Sequence, residues 1–182
     1  ATVIGEGANL AITQHARYYL SEKSVKLNTD FIDNSAGVNI SDYEVNLKIL
    51  LQYLLAKKQL KTTKQRSDLL ASLTPDVIQL VLNNNQDQHQ LISLEECRSQ
   101  KAIYPYQTLI NSFIEQGAIN PKKDTIPKSS EFEELDKKKL PLPRPLIALL
   151  QSLIKLETSE SLSSSDCLSH PLYNKLFESY FP

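Results

Sequence analysis

The sequence predicts a mainly α protein, with a helical region over residues 42–182 preceded by a short α/β segment over residues 1–41. Three observations carry this reading. From Tyr43 onward, apolar residues recur at the spacing of a helix face. Thr2-Val3-Ile4 is a short β-prone run ahead of a glycine-containing loop. Prolines and glycines fall between the periodic stretches, where chain reversals belong.

Taken in order, the opening run should be a strand, followed by a loop and a helix over about residues 13–23, with extended pieces at 25–27 and 31–33. Ser41-Asp42-Tyr43-Glu44 has the form of a capping box, in which Ser41 accepts from the Glu44 amide and Glu44 reaches back. A long helix is expected from Ser41, its stripe of Tyr43, Leu47, Leu50 and Leu54 running to about Leu60. Thr74-Pro75 reads as an N-cap and first-turn proline of the next helix, with Ile78, Val81 and Leu82 beginning its apolar face. Leu109, Ile110, Phe113 and Ile114 mark a helix closed by Gly117 in a left-handed conformation. Residues 121–130 read as a surface loop, and Leu140-Pro141-Leu142-Pro143-Arg144-Pro145 as an extended interruption. Leu146, Leu149, Leu150, Leu153 and Ile154 then fit a buried helix. A serine-rich stretch, 158–165, separates it from a last stripe of Leu172, Leu176, Phe177, Tyr180 and Phe181.

Composition narrows the classes of function. Hydrophobic residues make up 41% and charged residues 23% of the chain, values that fit a water-soluble domain with a real core. The 20 basic and 21 acidic residues form no domain-sized basic stripe, which argues against nucleic acid as a partner. Glu131, Glu133, Glu134 and Asp136 precede Lys137, Lys138 and Lys139, an order suited to the two ends of a short exposed helix. Cys97 and Cys167 lack metal-ligand spacing and read as reduced thiols, so no metal site is expected. No apolar run approaches the ~20 residues that cross a bilayer and no signal peptide opens the chain, so a cytoplasmic protein without a membrane partner is expected. The absence of methionine means that Ala1 is not a translation start, and Pro182 follows an apolar stripe directly; both suit a fragment cut from a longer protein.

Two segments carry chemistry. Gly5-Glu6-Gly7-Ala8-Asn9 places small residues and a carboxamide after a strand end, where a backbone can approach a flat ligand, although the same residues also make a plain turn. Asp33-Asn34-Ser35-Ala36-Gly37-Val38-Asn39-Ile40-Ser41 combines a carboxamide, a small-residue loop and a serine. Ser41 suits a carboxylate site at a helix N-terminus or a simple helix cap.

Glu6-Gly7-Ala8-Asn9 together with Asn34-Ser35-Ala36-Gly37-Val38-Asn39-Ile40-Ser41 resembles the end of the nucleotide-binding domain in glutamate, leucine, phenylalanine and valine dehydrogenases. The detailed form, with Asp42-Tyr43-Glu44-Val45-Asn46-Leu47-Lys48-Ile49-Leu50-Leu51, looks like the large bacterial-type NAD-specific glutamate dehydrogenases. The similarity continues through Arg66-Ser67-Asp68-Leu69-Leu70, Thr74-Pro75-Asp76-Val77, Leu80-Val81-Leu82, Arg144-Pro145-Leu146-Ile147-Ala148-Leu149-Leu150 and Tyr180-Phe181-Pro182. The smaller enzymes carry two glycines where this chain has Ala36-Gly37.

The resemblance implies that residues 1–41 are the C-terminal end of a Rossmann-type NAD-binding domain. It implies Asn9 and Asn34 near the nicotinamide of NAD, and the Val38 backbone and Ser41 facing the substrate, Ser41 nearest its distal carboxylate. The implied reaction of the whole enzyme, a homo-oligomer, is oxidative deamination of L-glutamate to 2-oxoglutarate and ammonia. No Gly-x-Gly-x-x-Gly fingerprint and no catalytic lysine or aspartate can be placed in this chain, so the acid-base residues are expected upstream of Ala1 and the fragment is expected to be inactive by itself. His15, His89 and His170 match no family motif and read as surface or packing histidines. The rival reading, for residues 60–182 above all, is a non-catalytic helical module for interaction, oligomerisation or regulation.

Overall fold

The computed structural model describes the backbone of residues 1–182 and every side chain except those of Leu168, Asn174, Phe177 and Glu178. The mainly helical expectation holds. In chain order the helices are α1 (Gln14–Glu22), α2 (Asp30–Asp33), α3 (Ser35–Ala56), α4 (Thr63–Lys101), α5 (Tyr104–Glu115), α6 (Ser129–Lys138), α7 (Arg144–Ser163) and α8 (Pro171–Glu178), with a 3-10 turn at Asp166–Ser169. The chain divides into two compact units. The first comprises Ala1–Asn34 and Asp87–Glu160, the second Ser35–Gln86 and Ser161–Pro182.

In the first unit, α1 starts where Thr13 caps it, the hydroxyl accepting from Ala16 N at 3.3 Å. The segments on either side of α1 run parallel. Ile4 N donates to Lys26 O and Lys26 N to Thr2 O, both at 2.9 Å, but only the Val3 and Lys26 bridge forms. The expected strands are therefore not built among the described residues, and the Rossmann remnant is not established by this fold. Parallel ladders gain stability as members of multi-stranded sheets covered on both faces, and one bridge cannot propagate alone.

The core of this unit gathers Tyr18, Ile32, Ile92, Ile110, Phe113, Phe132, Leu146 and Ile147 from six of the helices. The apolar spacing read from α5 and α7 is the spacing of this interior. Gly117 closes α5 at φ +76°, with Ala118 N and Ile119 N both donating to Phe113 O. On α6 the acid-then-base order becomes the pairs Glu133 with Lys137 and Glu134 with Lys138 on an exposed face. Ser99, 1% exposed, accepts Leu142 N at 3.0 Å and satisfies a backbone donor between the prolines.

In the second unit, α3 and the first part of α4 are tied by Asn39 Nδ2 to Asn84 Oδ1 at 3.0 Å and Asn85 Nδ2 to Ser35 Oγ at 2.9 Å. Leu47 and Leu51 on α3 and Val81 on α4 are buried. Tyr180 stacks on Tyr43 at 4.7 Å and its hydroxyl accepts Asn46 Nδ2 at 3.1 Å, which fixes the chain end on α3. Phe177, expected in the last apolar stripe, lies outside the described side chains.

Several sequence expectations are corrected. Residues 31–33 are helical, because Ile32 N and Asp33 N both donate to Thr29 O at 3.1 Å. Ser41 is not an N-cap: α3 starts at Ser35, one residue after α2, so the backbone is already helical when it reaches Gly37. The Ser41 hydroxyl donates back to Gly37 O at 3.1 Å, and Glu44 pairs with Lys48 instead of a capping amide. Helix α3 closes at Ala56, short of Leu60. Thr74-Pro75 starts no helix either, since Pro75 sits inside α4. Pro75 has no N–H for the Ala71 carbonyl, but this segment is exposed and water can satisfy that oxygen, while the Thr74 hydroxyl donates to Leu70 O at 3.0 Å. The serine-rich stretch continues α7 to Ser163 before the chain breaks helix.

The position of Ser41 has a measurable consequence. Loss of an N-cap would cost ~1 kcal/mol, whereas removing an exposed mid-helix hydroxyl that back-bonds to i−4 gains a few tenths through helix propensity. Urea unfolding of Ser41→Ala should therefore show unchanged or slightly raised stability; a loss near that of a cap would return Ser41 to the helix start.

Candidate functional site

The Gly5 to Asn9 loop is held from beneath by charge. Glu6, 3% exposed, receives Arg17 through two bonds, Nε to Oε1 and Nη2 to Oε2, both at 2.7 Å. Arg17 Nη2 also reaches Asp30 Oδ1 at 3.0 Å, and Nη1 donates to Gln14 Oε1 at 3.1 Å. One guanidinium thus joins the loop, α1 and α2. Its bonds to Glu6 raise the Arg17 pKa above the ordinary value against the opposing effect of burial, with the Glu6 and Asp30 charges adding to the rise.

Asp30 completes the turn of the loop. Its Oδ2 accepts Leu10 N at 2.8 Å, and Leu10 lies at φ +59°, a left-handed conformation uncommon for a residue other than glycine. Burial pushes the Asp30 carboxyl up, but the Leu10 N–H and the Arg17 charge, with nearby backbone amides, outweigh it and hold the pKa below the usual range.

Above this base stand the two candidate cofactor residues. Asn34 Nδ2 donates to Asn9 Oδ1 at 3.0 Å, so the structure brings together two carboxamides that lie 25 positions apart in sequence. Asp33 supports them from the side: Oδ2 accepts Glu6 N at 2.9 Å, and Oδ1 accepts Asn28 Nδ2 at 3.0 Å and contacts His89 Nε2 at 3.1 Å. Asn28 is fixed in turn by Arg144 Nε at 2.9 Å. Arg144 and Lys26 both meet Glu96, and although burial opposes it, their bonds and charges hold the Glu96 carboxyl low.

Val38 and Ser41 belong to the second unit, on the first turns of α3. Val38 is 66% exposed, and Ser41 is exposed with its hydroxyl donating to Gly37 O. Two supporting residues escaped the sequence reading. Arg17 carries no motif, although its place beside Tyr18 on the inward face of α1 is a faint signal. His89 carries none, because its partner Asp33 is 56 positions away. Among the described residues no cluster of three His, Cys, Asp or Glu could hold a metal ion, both cysteines are free, and no helix is long and apolar enough to cross a membrane.

Residues 1–95 match the family model described as bacterial NAD-glutamate dehydrogenase, catalytic domain. Among curated relatives, an NAD-specific glutamate dehydrogenase of Halomonas elongata is 38% identical over 180 residues, 99% of this chain. Proteins of the same name from Pseudomonas aeruginosa and Mycobacterium tuberculosis are 36% and 31% identical over all 182 residues. The chain spans 11% of the length of each of these relatives.

Two outcomes follow from the ion cluster. Arg17→Met leaves Glu6 and Asp30 buried without their cation and should cost ~3–5 kcal/mol in urea unfolding; adding Glu6→Gln should recover part of that loss, since one uncompensated charge disappears. In acid, Asp30 and Glu96 bind protons more weakly folded than unfolded, so their stabilisation is complete above the unfolded-state pKa of about 4 and is lost as pH falls through the lower folded values. Stability measured across an acid series should drop below about pH 4; a curve flat through that window would show that these pairs carry no pH linkage.

Proposed function

The chain belongs to the bacterial NAD-glutamate dehydrogenase family, and on that premise we propose that the full-length protein oxidatively deaminates L-glutamate to 2-oxoglutarate and ammonia with NAD as hydride acceptor. In this reading, residues 1–41 end the Rossmann-type NAD-binding domain. The observation that supports the proposal at the level of residues is the contact between Asn9 and Asn34, the two residues that the resemblance implies lie near nicotinamide. Their mutual bond engages one Asn34 donor and the Asn9 carbonyl, and in this reading Asn9 Nδ2 and Asn34 Oδ1 serve as donor and acceptor for a third amide. That set is complementary to a carboxamide such as the one on nicotinamide.

The cofactor, once bound, supplies the redox chemistry by accepting the hydride; the chain supplies position. Asn9 and Asn34 orient the ring amide, and the charged base under Glu6 keeps the loop from relaxing between turnovers. The Val38 backbone and Ser41 are the proposed substrate contacts, supported by the family pattern over residues 29–51 and by their exposure. A glutamate carboxylate would draw the Ser41 proton away from Gly37 O. The acid-base groups are assigned to the part of the protein upstream of Ala1, and the full-length enzyme is proposed to be a homo-oligomer. For residues 60–182 a packing or subunit-contact role is proposed beside this, supported by apolar residues left open on α4, where Ile78 and Leu82 are 51% and 55% exposed.

NADH absorbance with glutamate and NAD should report turnover by the full-length protein and none by the isolated chain. In the full-length protein, Asn34→Ala should raise KM for NAD by roughly 2- to 13-fold, the range of one neutral hydrogen bond, with KM for glutamate nearly unchanged. An unchanged KM for NAD would remove Asn34 from the cofactor site.

A further inference from the structure

Asp33 is where three parts of the first unit converge. Its Oδ2 takes the Glu6 N–H from the glycine loop, and its Oδ1 takes Asn28 Nδ2 from the segment before α2. His89 Nε2, from α4, lies 3.1 Å from the same Oδ1. A carboxylate only accepts, so Nε2 is the donor. The Asp33 carboxylate is 9% exposed and the His89 ring 35%, so the contact is shielded on the carboxylate side and reachable from the imidazole side. Both residues line a hollow of about 480 Å³, with Gly5, Asn28, Lys26 and Arg144 also on its wall.

The position of Asp33 gives this contact its meaning. It directly precedes Asn34, and the amide it holds belongs to Glu6, three residues before Asn9. Its carboxylate therefore spaces the two segments whose carboxamides pair at 3.0 Å. Asn28, the other donor to Oδ1, is committed to Arg144 through its own carbonyl. His89 ties this carboxylate to the long helix α4.

We propose that His89 is a positioning residue for the cofactor, acting through Asp33 to hold the Gly5 to Asn9 loop against Asn34. The inference rests on the reading of Asn9 and Asn34 as nicotinamide contacts. It assigns a role in the NAD site to a residue on a helix that the sequence pattern of the site does not include.

The test uses the full-length enzyme with NAD and glutamate varied separately. His89→Leu keeps bulk and removes the donor; KM for NAD should rise several-fold, less than the roughly 13- to 160-fold of directly losing one hydrogen bond to a charged group because His89 acts through Asp33, while kcat and KM for glutamate stay within about two-fold. His89→Gln, whose amide reaches the place of Nε2, should recover most of that affinity. Combining His89→Leu with Asp33→Ala should add nothing to the effect of Asp33→Ala alone. An unchanged KM for NAD in His89→Leu, or equal impairment in His89→Gln, overturns the inference. If His89→Leu does not fold, His89→Asn stands in, since its amide falls short of Asp33; equal KM values for the Asn and Gln variants then overturn it. Asn34→Ala measured alongside separates the two layers: an effect there with none at His89 removes only the positioning role, and no effect at Asn34 removes both.

Discussion

A guanidinium withdrawn from water between two carboxylates is stable only while both stay in place, and in the first unit that condition shapes everything around Arg17. Glu6 must sit in the loop, Asp30 at the start of α2, and α1 must run between them so that Arg17 faces inward. A trio of this kind contributes less net stability than its short distances suggest, because desolvation offsets much of the attraction. Its value lies in geometry, since any other arrangement of the loop strands a buried charge. The left-handed Leu10 and the extended segments joined by one parallel bridge are both compatible with that arrangement, and neither would hold the loop without it.

Order in the base passes upward by backbone and carboxylate. Asp30 fixes the end of the loop through Leu10 N, Asp33 fixes its middle through Glu6 N, and both aspartates belong to the same short helix. The loop and α2 therefore behave as one piece. The two carboxamides project from its two halves, Asn9 from the loop and Asn34 from the residue that ends α2. Preorganisation of this type lowers the entropy that binding a flat amide would otherwise cost.

Much of this was legible in the sequence where the signal is local. The helix over α1 follows from Thr13 and the spacing after it, the end of α5 from Gly117, and the α7 interior from Leu146, Leu150 and their neighbours. Asn9 and Asn34 could be selected because the family pattern marks both, and the structure sets them in contact. The failures came where a local rule competes with tertiary packing. Ser41 and Thr74-Pro75 carry strong start signals, yet α3 and α4 run through them, because burial of Leu47, Leu51 and Val81 favours continuous helices over the ~1 kcal/mol of a cap or the ~3 kcal/mol of an internal proline. The contacts of Arg17 and His89 were illegible for another reason: their partners are 11 or 13 and 56 residues distant, and one sequence does not encode such pairings in its spacing.

On the proposed function, the loop carrying Asn9 and the turn carrying Asn34 form one preassembled half of a nicotinamide site. Amide hydrogen exchange of the full-length protein, with and without NAD, is the measurement that decides it. Residues 6–10 and 31–34 should already be slow to exchange without cofactor, and NAD should slow both segments further and together. Cofactor-induced protection confined to other parts of the protein, or reaching one of these segments without the other, would contradict it.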